Sequence, residues 1–108
     1  MAEGRENGPV ASSSGVESSR DFRMEVEDVF AITGRGIVVT GTVASGRLVV
    51  GGTLAVTRNG RLVGSHVVKD LETFWKRITQ ADAGDEVGVV LANAKREDFM
   101  SGDVLTIR

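Results

Sequence analysis

The chain has 108 residues, with one proline, no cysteine and a net charge of −2 at pH 7. This length fits one domain, since domains commonly contain about 100–150 residues. The lack of cysteine excludes a disulfide scaffold, a thiol nucleophile and a cysteine-ligated metal, and the single histidine, His66, argues against a histidine-based metal cluster. No apolar run approaches the roughly 20 residues that span a bilayer, and the N-terminus has no signal-peptide core, so we expect a cytoplasmic protein without membrane contact.

Residues 1–21 differ from the rest of the chain in composition and charge. They contain only scattered small apolar side chains, which cannot offset the conformational entropy of folding, so we expect a disordered tail. They also carry the whole net charge of −2, because the 11 basic and 11 acidic side chains of residues 22–108 cancel. A nonspecific nucleic-acid binder usually has a basic excess, so any nucleic-acid site here must be small and local.

From Phe22 onward, short runs of alternating or β-branched residues follow one another, separated by glycine-containing turns. The pair Asn59 and Gly60 is a strong signal for a β-hairpin. Short strands with frequent turns are typical of an all-β barrel or sandwich. The predicted strands cover residues 22–27, 28–32, 37–43, 48–50, 53–57, 62–69, 86–92 and 103–107.

One segment has two interpretations. Asp70 has the chemistry of a helix cap, and Leu71, Phe74, Trp75 and Ile78 would share one face of a helix over residues 71–81. As a strand, alternate residues of the same segment would face opposite ways. Periodicity alone favours the helix.

The motifs that would carry catalysis are incomplete. Residues 36–42 resemble a phosphate-binding P-loop, but Thr42 stands where the lysine is needed, and the β-branched interior predicts a strand. The Gly34-Arg35-Gly36 sequence lacks the third glycine of a dinucleotide fingerprint. His66 has no surrounding triad motif, and the adjacent carboxylate pairs 27–28 and 85–86 would point to opposite faces of a strand. We therefore predict a protein that is not an enzyme and has no catalytic residues, metal or cofactor.

The order of motifs along residues 22–108 resembles the second domain of elongation factor Tu, in the translational GTPase family. The resemblance is carried by residues 22–41, by the Ala-Gly-Asp-Glu-Val-Gly-Val-Val-Leu run at 83–91, and by residues 95–98 and 102–105. It implies a small closed antiparallel β-barrel of six or seven strands over residues 22–108. It also replaces the helix with a strand over about residues 62–75, with a bulge or break near Asp70.

The resemblance further implies a ligand site, because this barrel in elongation factor Tu holds the 3′ aminoacyl-adenosine end of charged tRNA. Apolar walls for the adenine and polar groups for the ribose suit a single-stranded end. The alternative is that the same residues only build the barrel. The positions that match the family's pocket are Glu27, Asp28, Phe30, Ile32, Gly34, Val38, Thr40 and Glu72.

The sequence departs from the family pattern at two places. Glu86 replaces an asparagine beside the aminoacyl group, and residues 42–45 replace a charged stretch. The sequence also has no P-loop lysine and no guanine-recognition motif, so the resemblance implies no GTP hydrolysis. We expect a monomeric, non-catalytic barrel that binds a tRNA acceptor end or ribosomal RNA. The alternative is a protein-interaction module that docks onto a translational GTPase or another protein.

Overall fold

A computed structural model describes residues 17–73 and 76–108. Regular structure in this part consists of β-strands and one short 3-10 helix, Arg96–Asp98. The described part contains no helix long and apolar enough to cross a bilayer. The strands are β1 (Arg23–Glu25), β2 (Asp28–Ile32), β3 (Gly36–Ser45), β4 (Arg47–Val49), β5 (Thr53–Arg58), β6 (Arg61–Thr73), β7 (Lys76–Ile78), β8 (Gln80–Asp82), β9 (Glu86–Leu91) and β10 (Val104–Ile107).

Six of these strands close into an antiparallel barrel. They follow one another around the ring in the order β9, β3, β1, β10, β5 and β6, and β6 pairs again with β9. Val89 at the centre of β9 lies opposite Val39 of β3 on one side and Leu71 of β6 on the other. The predicted all-β barrel is therefore confirmed. A closed ring satisfies the backbone groups that an open sheet edge would expose.

The remaining four strands are not part of the ring. β2 continues the line of β1 along β3, since Asp28 to Ile32 pair with Thr40 to Gly36. β7 pairs with the end of β6, and β4 and β8 form a separate two-stranded ribbon. The turn between β5 and β6 has positive φ angles at Asn59 and Gly60, as the predicted hairpin requires.

The barrel interior is filled by the inward residues of the alternating pattern. Phe22, Met24 and Val26 are all buried, whereas Arg23, Glu25 and Glu27 between them are exposed. This confirms the period of two that predicts the first strand. The other core residues are Ile37, Val39, Val43, Leu48, Leu54, Val56, Val68, Leu71, Ala81, Val87, Val89, Leu91, Phe99 and Leu105.

The segment with two interpretations is a strand where the structure describes it. β6 runs without a break in chain direction to Thr73, and Leu71 is buried in the barrel core. The pairing of β6 with β9 shifts by one residue at Lys69, because Val90 lies opposite Asp70 and Leu91 opposite Val68. This is the expected bulge near Asp70. The helix favoured by periodicity is wrong over residues 71–73 and 76–78, because these residues form strands whose backbone partners lie in neighbouring strands. Phe74 and Trp75 lie outside the described residues.

The last residues of the predicted tail lie against the barrel. Ser19 donates its backbone N–H to the carbonyl oxygen of Arg47 at 2.9 Å, and its hydroxyl accepts the Arg47 N–H at 2.7 Å. The Ser18 hydroxyl accepts the N–H of Val49 at 2.9 Å. Ser18 and Ser19 are thus held along β4, which differs from a disordered tail to residue 21. Residues 1–16 of that tail lie outside the described residues, and the domain boundary stays a prediction.

A partly buried ion pair joins β5 to the residue that precedes β10. The Asp103 carboxylate is 1% exposed and accepts hydrogen bonds from Arg58 Nε at 2.8 Å and Arg58 Nη2 at 2.9 Å. It also accepts the backbone N–H of Met100 at 2.9 Å. These bonds, led by those from Arg58, hold the pKa of Asp103 below its usual range despite burial. The pair fixes the loop after the 3-10 helix to β5.

We predict that Asp103→Asn lowers the free energy of unfolding by about 2 kcal/mol at pH 7, because a charge-assisted bidentate pair is lost. A lowered folded-state pKa means that the carboxylate stabilises the fold above its unfolded pKa of about 3.9. This contribution is lost as the pH falls through the folded pKa. Urea denaturation of both proteins at pH 7 and pH 3 should show a smaller difference at pH 3. An equal difference at both pH values would contradict this role.

Gly41, the glycine that gives residues 36–42 their P-loop appearance, has a packing role. It lies inside β3, where β1 crosses closely. A methyl group on Gly41 would overlap the Glu25 carbonyl oxygen and lie 3.2 Å from Met24 Cγ. The residues 36–42 thus form a barrel strand, as the β-branched interior predicts.

We predict that Gly41→Ala destabilises the fold by about 2 kcal/mol, because the overlap is with backbone and cannot be relieved by a side-chain rotation. Gly64→Ala is the matched control within a strand. Its added methyl group would meet only His66 ring atoms, at 3.5 Å or more, which is ordinary contact. Thermal denaturation of both variants measures the effect. Equal stability of the two variants would show that β1 does not constrain Gly41.

Candidate functional site

A shallow groove of about 450 Å³ lies on the outer face of the barrel. Its walls come from β2, β3, β6 and β9, which are neighbours in the sheet. The groove therefore depends on barrel closure, because β6 reaches the other three strands only through β9. Its lining residues are Glu27, Phe30, Ile32, Val38, Thr40, Glu72, Thr73, Glu86, Val87 and Gly88.

The register of the strands places the groove residues on the outer face. Asp28, Thr40, Gly88 and Glu72 form one row, each directly opposite the next across β2, β3, β9 and β6. The adjacent row, which contains Val39, Val89 and Leu71, faces the barrel core. Since alternate residues of a strand face opposite ways, the row through Thr40 and Glu72 must face outward.

One wall of the groove is apolar. The side chains of Phe30 and Ile32 on β2 are 47% and 39% exposed, which is unusual for residues of this size. Val38 lies directly opposite Phe30 and is only 2% exposed. Together they form an apolar slot with an exposed aromatic ring at its side. Such a surface suits a flat apolar face such as a nucleobase.

The floor of the groove is open because residue 88 is glycine. An added Cβ at Gly88 would lie 3.1 Å from Val38 Cγ1 and 3.3 Å from Glu72 Cγ. The space between the apolar slot and Glu72 therefore exists only without a side chain at position 88. Its φ angle is not in the left-handed region, so the position requires glycine for space and not for backbone geometry.

The polar wall is built around Glu72 and Thr73. Glu72 is half-buried, and its carboxylate forms an ion pair with the Arg35 guanidinium from the turn between β2 and β3. The Thr73 hydroxyl donates to the backbone carbonyl of Glu86 at 2.9 Å, which ties the end of β6 to the start of β9. A carboxylate held in this way can accept a hydrogen bond from a ligand hydroxyl.

The groove and a neighbouring pocket differ in charge. Glu27 and Glu86 line one part and add two carboxylates. A smaller basic pocket of about 200 Å³ is lined by Arg35, the partner of Glu72 in the groove wall. The members of this basic pocket are Gly34, Arg35, Lys69, Asp70, Arg77 and Val90.

The structure brings six of the eight predicted site residues into one groove. These are Glu27, Phe30, Ile32, Val38, Thr40 and Glu72. Asp28 lines a second cavity, which shares Glu27 and Phe30 with the groove and extends to residues 96–101, and Gly34 lines the basic pocket. Glu86, identified as a departure from the family pattern, also lines the groove.

Sequence reasoning missed Gly88 and the role of Arg35. Gly88 is a glycine within an otherwise β-branched strand, which is a known signal for a close approach by another group. Arg35 is the charged residue of a turn flanked by two glycines, and its contact with Glu72, 37 positions along the chain, has no local signal. His66 is half-buried and packs against Phe99, with ring centroids 5.2 Å apart and an interplanar angle of 44°.

The described part of the chain is a closed, six-stranded antiparallel β-barrel with a groove on its outer face. The family model for elongation factor Tu domain 2 matches residues 36–106. This is more than half of the chain, so the chain belongs to that family. Val38, Thr40, Glu72 and Glu86 lie within the matched range, whereas the β2 side of the groove precedes it.

Proposed function

We propose that the outer groove binds the 3′-terminal adenosine of a single-stranded RNA end, with the tRNA acceptor end as the main candidate. The observation that carries this proposal is the convergence of six residues, chosen from sequence, on one groove. Five of them come from three strands, Glu27 directly precedes one of these strands, and the six span up to 45 positions in the chain. A barrel needs large apolar side chains only on the inner face of its strands. The stability of the barrel therefore does not account for the exposed side chains of Phe30 and Ile32.

The chemistry of the groove supports this ligand. The adenine base would lie against Phe30, Ile32 and Val38, since stacking on apolar and aromatic surface holds unpaired bases. A ribose hydroxyl would donate to the Glu72 carboxylate. The volume of about 450 Å³ lies within the range of roughly 300–1,000 Å³ that is usual for small-ligand sites.

The net charge supports weak and local binding. Residues 22–108 have no basic excess, so counterion release from a long phosphate backbone contributes little. Ribosomal RNA would therefore bind through an exposed terminal or looped adenosine and not through its duplex regions. The proposed role is binding without catalysis and without a cofactor, as part of translation in the cytoplasm.

A protein partner is the second candidate, and one feature favours it. β2 pairs only with β3 in the described part of the chain, and a cavity of about 760 Å³ lies along its other side. Unpaired strand edges accept extended segments of other proteins. This cavity shares Glu27 and Phe30 with the groove. Val29, Ala31 and residues of the loop at 96–101 line the cavity alone, so changes in that loop distinguish its occupation from occupation of the groove.

We predict that a short RNA ending in Cyt-Cyt-Ade shifts the NMR amide signals of Phe30, Val38 and Glu72 on titration. Gly88→Ala should weaken binding about tenfold, because its methyl group occupies the groove floor, and a tenfold change is about 1.4 kcal/mol. Gly64→Ala, on the far part of β6, should bind like the unmodified protein. An oligonucleotide with a 3′-terminal cytidine tests the preference for adenine.

Shifts that cluster at residues 96–101 would instead favour the edge of β2 as the interaction site. Equal binding by the Gly88→Ala and Gly64→Ala proteins would contradict the groove. An equal response to the cytidine-ended RNA would contradict recognition of adenosine.

A further inference from the structure

The first half of β6 has an edge that pairs with no strand in the described part of the chain. Residues 61–67 pair with β5 on one side, whereas the pairing with β9 on the other side begins only at Val68. Just after β9, the Ala92 N–H donates to the Val67 carbonyl oxygen at 3.0 Å. Asn93 then has a φ angle of 51°, in the left-handed region, which ends the extended conformation beside β6. The edge of β6 before Val67 is therefore open.

The hydrogen bonds of Val68 show which backbone groups lie on this open edge. The Val68 N–H donates to the Gly52 carbonyl oxygen and the Val68 carbonyl oxygen accepts the Gly51 N–H, both at 2.8 Å and both on the side of β5. Since successive residues of a strand direct their backbone groups to opposite sides, those of Val67 and Ser65 face the open edge. The N–H and C=O groups of Ser65 thus lie where an added strand would pair.

Large apolar side chains are exposed beside the open edge. Leu62, Val63 and Val67 are between 45% and 56% exposed. Val63 is the extra residue of a bulge in the pairing of β6 with β5. None of the three lines the groove or the cavity beside β2. Exposed apolar side chains next to unpaired backbone groups suit the addition of a strand, because backbone bonds give affinity and alternate side chains give specificity.

The charge of this segment selects the partner. Between Thr57 and Lys69 the chain has three basic side chains, Arg58, Arg61 and Lys69, and no carboxylate. Arg58 is paired with Asp103, whereas Arg61 and Lys69 are exposed. A second copy of this chain would bring the same basic side chains to the interface, and like charges on facing strands are destabilising. Acidic side chains on an added strand would instead be attracted.

We propose that the open edge of β6 over residues 61–67 binds an extended segment of another protein, with acidic and apolar side chains, as an added β-strand. Backbone hydrogen bonds to Ser65 hold this segment, its apolar side chains cover those exposed on β6, and its carboxylates face Arg61. Val67 precedes the groove residue Glu72 by five positions, which is about 16 Å along a strand. The inference therefore concerns a separate surface and does not depend on the proposed RNA site.

The test is an NMR titration of the full chain with a six-residue peptide of alternating valine and glutamate, blocked at both ends. We expect saturable shifts of the Leu62, Ser65 and Val67 amide signals. At saturation the Ser65 N–H should exchange with solvent about tenfold more slowly or less, because it gains a backbone partner. The Val68 N–H, which is already bonded within the barrel, is the internal control and should keep its exchange rate.

Two comparisons test the acidic chemistry of the partner. Arg61→Gln should weaken binding of the glutamate peptide about threefold, as expected for an exposed ion pair. Arg23→Gln removes an exposed arginine of β1 and is the matched control, which should bind like the unmodified chain. A peptide of alternating valine and lysine should bind about tenfold more weakly than the glutamate peptide, because its charges repel those of β6.

Absence of binding by the glutamate peptide at millimolar concentration would overturn the proposal, as would binding with an unchanged exchange rate at Ser65. Equal binding of the glutamate and lysine peptides would overturn the acidic partner, as would equal binding by the Arg61→Gln and Arg23→Gln proteins. Shifts at residues 61–67 that depend on protein concentration alone would assign the edge to a second copy of the chain and overturn the proposal.

Two further occupants of the edge have their own signatures. Nuclear Overhauser contacts between residues 1–16 and β6 in the chain alone would assign the edge to the N-terminus of the same chain. Shifts at residues 61–67 on addition of the Cyt-Cyt-Ade RNA would assign it to nucleic acid. Either result would overturn the proposal. The peptide titration leaves the RNA site untouched, since that site is read at Phe30, Val38 and Glu72.

Discussion

The pairing of β9 with both β3 and β6 is the constraint on which the rest of the structure depends. It closes the ring, so the inward residues Val39, Val89 and Leu71 meet in the core. The same pairing sets the outward row, in which Gly88 separates Thr40 from Glu72. Core and groove are therefore two faces of the same strands. A one-residue slip of β9 would expose its core residues and fill the groove with a valine.

Charged side chains in this barrel are clustered locally, although the barrel carries no net charge. Residues 22–108 are neutral overall, yet Arg35, Lys69 and Arg77 lie together at one place and Glu27 and Glu86 at another. The two places therefore differ in local charge, positive at one and negative at the other.

Much of the fold is predictable from the sequence, since period-two patterns and the Asn59–Gly60 turn are local signals that the structure confirms. The segment after Asp70 shows the limit. Its apolar spacing fits a helix, but β9 and β7 supply strand partners that no local pattern contains. The Arg58–Asp103 pair is likewise invisible in sequence, because 45 positions separate its members. Six groove residues are predictable from the resemblance to the family. The roles of Gly88 and of the Arg35–Glu72 ion pair are not, because they depend on how the strands are aligned in the folded barrel.

The central claim is that an adenosine base occupies the apolar slot on the outer face of the closed barrel. Intermolecular nuclear Overhauser effects between a bound Cyt-Cyt-Ade oligonucleotide and the methyl-labelled protein test it most directly. The account predicts contacts from the adenine H2 and H8 protons to the methyl groups of Val38 and Ile32. Saturable binding with adenine contacts only to Val63 or Val67, exposed residues of β6 outside the groove lining, would contradict it.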